Sequence, residues 1–126
     1  MHTKNSFNGT IVEGIDFETG IKRLGGKEEI YLKILKSYVA NVPNYLEKLN
    51  GFISSEDTKN DYIIVVHGIK GSSYNICADE VGKMAEALEM AGKNGDWDSV
   101  NANHAAFVKV AESLVCELAK LIELNS

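Results

Sequence analysis

The sequence predicts an all-α protein: an antiparallel up-down-up-down four-helix bundle with a short extra helix at its N-terminal end. Three observations carry this. Apolar residues recur at helical spacing through nearly all of the chain after Gly14. Four of the periodic segments are long, and short polar or glycine-rich turns join them, which makes sequence neighbours antiparallel. No strand pattern competes. Ile63-Ile64-Val65-Val66 is β-branched, but it lies inside a longer helical pattern, and length decides for helix.

Residues 1–13 have no helical period, and Asn5, Ser6, Asn8 and Gly9 favour turn or coil. They read as a flexible lead-in to a single domain over 14–126, and His2 within them carries no assigned role. Asp16 is an N-cap for a short helix bearing Phe17, Ile21 and Leu24, which Gly25-Gly26 ends. The next helix opens near Lys27, with Ile30, Ile34, Leu35, Tyr38 and Val42 as its apolar stripe. Pro43 predicts a kink or brief break before the pattern resumes through Tyr45, Leu46 and Leu49, with Gly51 closing the element. The polar stretch Ser54–Asn60 starts a third helix that ends near Asn75–Cys77. A fourth runs from Ala78 or Asp79 to Asn94 on a stripe of Val81, Met84, Ala85, Leu88 and Ala91, with the turn at Gly92–Gly95. Asp96 caps a last long helix to about Leu124, whose inward face is Val100, His104, Phe107, Val108, Ala111, Leu114, Val115, Leu118, Leu121 and Ile122.

The third helix has an unusual centre. His67, Lys70 and Gly71 stand at i, i+3 and i+4, which puts Lys70 and Gly71 each within roughly 60° of His67 at about 100° per residue. Tyr62, Val65, Val66, Ile69, Ser73 and Ile76 occupy the opposite, core side, so His67 should point outward. A neutral imidazole is a nucleophile near pH 7. A lysine one turn along is a mobile cation suited to phosphoryl oxygens. Gly68 and Gly71 each cost a helix about 0.5–1 kcal/mol, and bare backbone there gives a partner room to approach. Ile63, Ile64 and Tyr74 flank this face as an apolar docking rim. The plainer reading is a surface histidine among small residues that let helices pack. The combination of base, cation and bare backbone favours chemistry. His104 falls on an apolar stripe with no lysine or glycine beside it and reads as a structural, partly buried histidine.

Composition narrows the class. At 126 residues, 44% hydrophobic and 25% charged, the chain suits one ordinary globular domain. A net charge of −5 argues against nucleic acid as a partner. No run of about 18 apolar residues exists to span a membrane, and the first ten residues lack the apolar core of a signal peptide. Cys77 and Cys116 have no partners at zinc spacing and read as buried thiols in a reducing, cytoplasmic setting. There is no P-loop or nucleotide lid, no His-Glu-x-x-His, and no Gly-x-Ser-x-Gly. Glu28, Glu29, Asp79 and Glu80 sit at helix starts, where the dipole accounts for them.

His67-Gly68-Ile69-Lys70-Gly71-Ser72-Ser73, followed by Asn75-Ile76 and Ala78, resembles the signature of the histidine-containing phosphotransfer (HPt) domain of two-component phosphorelays. The resemblance continues through Val81, Met84, Ala85, Leu88, Glu89, Ala91 and Gly95-Asp96. Upstream it takes in Ile15-Asp16, Leu24-Gly25-Gly26, Tyr31, Leu35 and Tyr38, and it covers roughly Gly14 to Leu124. Cys77, where many members carry glycine, and Gly82, within the following helix, depart from the pattern. The resemblance implies a phosphoryl carrier rather than an enzyme. His67 would accept the group on Nε2 from a receiver-domain phosphoaspartate, Lys70 would steady the charge, and Gly71 would clear space. Ile63, Ile64, Gly68 and Tyr74, with residues of Glu28–Leu35, would dock the partner. It implies no cofactor of its own, with Mg²⁺ held by the receiver. Its partners would be response-regulator receiver domains and a hybrid sensor histidine kinase, met as a monomer. A non-transferring docking module for a receiver or kinase is the alternative. A phosphohistidine phosphatase or metal-dependent hydrolase is a third reading, opposed by the scarcity of histidines.

Overall fold

The computed structural model describes residues 6–125. Asn8 and Gly9 both take positive φ, 49° and 86°, the type I′ geometry that closes a two-residue hairpin. They join β1 (Ser6–Phe7) to β2 (Thr10–Ile11) as an antiparallel pair. Five α-helices follow: α1 (Phe17–Arg23), α2 (Glu28–Phe52), α3 (Lys59–Asn75), α4 (Asp79–Lys93) and α5 (Trp97–Leu124). A single 3-10 turn, Glu56–Thr58, precedes α3. The four long helices pack in cyclic order, α2 on α3, α3 on α4, α4 on α5 and α5 on α2. Their buried stripes meet in one core built around Tyr31, Leu35, Leu49, Tyr62, Ile69, Phe107 and Leu118.

Helix starts follow local chemistry. Asp16 accepts from the Thr19 backbone N–H at 3.0 Å, and Asp96 from that of Ser99 at 3.2 Å, each satisfying a donor the first turn leaves unpaired.

Four expectations are corrected. Over residues 6–13 the lead-in is a hairpin seated on the bundle, with Phe7 and Val12 buried and the Phe7 ring 5.5 Å from that of Phe17. Residues 1–5 of the expected lead-in lie outside the described residues. Helix α2 runs unbroken through Pro43 and past Gly51. Proline costs a helix interior about 3 kcal/mol, and the buried run Tyr31, Leu35, Tyr38, Val42, Leu46 and Leu49, continuous on both sides of it, outweighs that. Ile30, expected in the stripe, is exposed and Tyr31 takes its place. Cys116 is exposed, while Cys77 is buried as expected, with φ of 61° just past the end of α3.

Side-chain hydrogen bonds lock the C-terminal half of α3 in place. The Tyr31 hydroxyl donates to the Ile76 carbonyl at 2.7 Å, and the Tyr38 and Ser73 hydroxyls bond at 2.8 Å. Burial pushes both phenols above their ordinary range, Tyr38 to about 12. Gly20 makes room for Tyr31, since a Cβ there would lie 2.5 Å from the ring. Alanine would gain about 1 kcal/mol of helix propensity, but the ring is anchored by its hydroxyl, and overpacking costs about 1–3 kcal/mol. Gly20→Ala should therefore destabilise the fold by up to about 2 kcal/mol in urea unfolding; a raised midpoint would show that Tyr31 is not held.

Candidate functional site

The site lies where α3 crosses its neighbour α4. The outward face predicted for His67 is present: its side chain is 62% exposed. From α4, Glu89 reaches across beneath it with a side chain only 3% exposed. Its Oε2 lies 2.6 Å from His67 Nδ1. Lys70 Nζ lies 2.7 Å from Oε1, and Lys93 Nζ lies 3.0 Å from Oε2. One buried carboxylate thus holds three nitrogen donors.

The electrostatics follow from that geometry. Burial alone would raise the Glu89 pKa, because desolvation penalises the charged form. Hydrogen bonds from Lys70, Lys93 and His67 overcome it and hold the carboxyl at about 2. The bond to Glu89, with the charges of Glu89 and Glu86 behind it, raises the Lys70 ammonium. Glu89 is therefore ionised at neutral pH and can only accept. The stability it adds is present above the ordinary carboxylate range and is lost as pH falls toward 2. Since Glu89 can only accept, His67 Nδ1 must carry the proton of this bond. In the neutral ring, Nε2 is then left with its lone pair, on the exposed side chain.

The sequence-predicted residues are brought together unevenly. His67, Lys70 and Gly71 share the face as expected, and a Cβ added at Gly68 or Gly71 would meet nothing within 4 Å. Ile64 is 68% exposed. Ile63 and Tyr74 are half-buried and turn toward α4: a Cβ on Gly92 would lie 3.0 Å from Ile63 Cγ1, and one on Gly82 2.8 Å from Tyr74 Cε1. They belong more to the α3–α4 seam than to an open rim, a partial correction. The large exposed apolar residue on α4 is Met90, beside Glu89 in sequence. Glu89 and Lys93 are the members of this cluster to which sequence reasoning assigned no role. Glu89 stands on the buried face of α4 with Val81, Ala85 and Leu88, and a carboxylate there, with a lysine at i+4, is the signal that could have found it.

His104 has the structural place expected of it. Tyr62 donates its hydroxyl to Nδ1 at 2.9 Å, and Nε2 bonds the Asn50 side-chain oxygen at 2.8 Å. Both ring nitrogens are used, within the core. Among the described residues, no group of His, Cys, Asp and Glu is arranged to hold a metal ion. Nor, among them, is any helix long and apolar enough to cross a membrane.

With this geometry in place, comparison with known proteins adds the class. The Hpt domain family model matches residues 33–123. The chain belongs to the Hpt domain family, whose members carry phosphoryl groups on histidine in phosphorelays and are not kinases. Hpt domains interact with receiver domains and kinases. No curated protein and no solved structure matches the chain.

Burial lowers the His104 pKa below its unfolded value of about 6.5. The unfolded chain then binds more protons than the folded one, so this contribution to stability is full above about pH 6.5 and is lost as pH falls from there. The urea midpoint should drop between about pH 7.5 and about pH 5.5, and His104→Phe should flatten that slope. A midpoint flat in the wild type over this range would contradict the buried neutral ring.

Proposed function

We propose that His67 is the phosphoacceptor of a multistep phosphorelay, taking a phosphoryl group from the phosphoaspartate of a receiver domain and passing it to another receiver. The observation that carries this is the 2.6 Å bond from His67 Nδ1 to the buried Glu89 carboxylate. It fixes the proton on Nδ1 and leaves Nε2 as the exposed nucleophile. Nε2 attacks the phosphorus in line. The Nε2–P bond forms as the P–O bond to aspartate breaks, and the aspartate leaves with the electron pair as carboxylate. The ring keeps its Nδ1 proton and becomes a phosphoimidazolium, whose positive charge Glu89 faces. On the return step the ring leaves as neutral imidazole, a better leaving group than an imidazolate.

Lys70 and Lys93 steady the phosphoryl oxygens. Each rests on Glu89 before transfer and is long enough to turn outward once new anionic oxygens appear. Gly68 and Gly71 leave the backbone open to the incoming aspartate loop. Docking falls on Ile64 and Met90, with Ile63 and Tyr74 filling the seam behind them. On the α2 side of α3, a groove of about 300 Å³ bordered by Ile30, Ile34 and Ser72 offers a second place for partner contact. We place Mg²⁺ in the receiver's acidic pocket, and assign this chain no cofactor of its own. The long helices read as an up-down-up-down bundle, and the module as a cytoplasmic monomer fed by a hybrid sensor histidine kinase.

Incubation with a phosphorylated receiver and Mg²⁺ should give acid-labile, base-stable label on the wild type. His67→Gln should take none while keeping its helix content; label persisting in that variant would sink the assignment. Receiver binding with no label on the wild type would favour the docking-module alternative. Glu89→Gln can present its amide N–H to Nδ1 and so favour the tautomer with the proton on Nε2. Loss of a partner that orients a functional histidine commonly costs about 10–100-fold, and acceptance in Glu89→Gln should slow by that order. A wild-type rate would remove Glu89 from the mechanism. Lys70→Ala should slow transfer in both directions, and unchanged kinetics would remove Lys70 likewise.

A further inference from the structure

We propose that Gly92, with Gly82 at the other end of the same seam, is a positioning residue for His67: the pair sets the spacing of α3 and α4 that lets Glu89 reach Nδ1. This rests on the reading of His67 as the phosphoacceptor. The contacts across the seam run in one antiparallel register. Ile63 meets Gly92, His67 and Lys70 meet Glu89, and Tyr74 meets Gly82. The reactive pair thus lies between two places where α4 carries no side chain.

Two glycines inside a 15-residue helix oppose its formation, at about 1 kcal/mol each relative to alanine. At Gly68 and Gly71 the missing side chains face open space. At Gly82 and Gly92 they face the neighbouring helix, and both residues are buried. Those two glycines therefore act on the distance between helices and not on access from outside.

The two positions differ in strength. At Gly82 a Cβ would meet the ring of Tyr74, at 2.8 Å from Cε1, and a half-buried ring can swing aside. At Gly92 a Cβ would lie 3.0 Å from Ile63 Cγ1, close to the backbone of α3, and 3.5 Å from the Trp97 ring. A γ-carbon moves only by χ1 rotation, and a β-branched side chain in a helix has one strongly preferred χ1, so the relief falls on the helix, by a few tenths of an ångström. Gly92 lies one turn from Glu89, so that movement falls on the 2.6 Å bond. A bond this short, made by a carboxylate buried on a packed helix, has little play with which to follow.

The test separates position from transfer. Isotope-labelled wild type should show a hydrogen-bonded Nδ1–H proton on His67 by NMR. Its rate of phosphorylation by phosphoramidate, which gives up ammonia as the Nε2–P bond forms, avoids any receiver. Gly92→Ala should stay folded, lose the Nδ1–H signal and slow by about tenfold. Gly82→Ala should do the same more weakly. Adding Ile63→Ala to Gly92→Ala should restore both readouts, while Gly51→Ala, a helical glycine with nothing within 4 Å of its Cβ position, should change neither. A folded Gly92→Ala with wild-type signal and rate would overturn the proposal. So would a Gly92→Ala/Ile63→Ala variant that fails to recover them, and this second arm decides if Gly92→Ala alone does not fold. If the wild type accepts no phosphoryl group while Gly92→Ala still loses the Nδ1–H signal, the positioning claim stands and the phosphoacceptor reading falls.

Discussion

A single buried carboxylate governs this molecule's chemistry. Glu89 is sealed between helices, where an unpaired charge would cost several kcal/mol. It is tolerable only because Lys70, Lys93 and His67 all donate to it. The same three bonds that keep it charged also organise the exposed face. They fix which imidazole nitrogen holds the proton, and they hold two ammonium groups on the same carboxylate. The negative charge below the ring and the positive charges around it are complementary to a phosphoimidazolium bearing an anionic phosphoryl group. In the proposed transfer, the ring needs little rearrangement in either direction, because its Nδ1 proton would stay in place throughout.

Packing delivers that carboxylate. Helix α3 is tied down at its C-terminal half by Tyr31 and Tyr38 from α2. Its other flank lies against α4, where glycines at 82 and 92 receive Tyr74 and Ile63. His67 is thus carried on a helix held from two sides, with its own open side left to solvent. The His104 network, with Tyr62 and Asn50, joins α5, α3 and α2. It absorbs a second imidazole into structure and leaves only one exposed ring nitrogen among the described histidines.

Most of this was legible along single helices. The spacing of His67, Lys70 and Gly71 placed them on one turn, and the caps at Asp16 and Asp96 and the ends of α3 fell where local chemistry put them. What could not be read was anything decided between helices. Glu89 is 22 residues from His67, and no intrahelical period links them. Ile63 and Tyr74 lie within reach of both solvent and α4, and only the glycines opposite decide which. Pro43 obeyed a local rule in prospect, but the core on either side overrode it. The Asn8-Gly9 hairpin was a missed local signal: two residues that accept positive φ sit between short apolar segments.

If Glu89 holds the proton on Nδ1, the chemistry falls to Nε2. The most direct measurement is the position of the phosphoryl group itself, read by nitrogen–phosphorus coupling in isotope-labelled, phosphorylated protein. One phosphohistidine is expected, at His67, with phosphorus on Nε2 and a proton retained on Nδ1. Phosphorus on Nδ1, or on another residue, would contradict it.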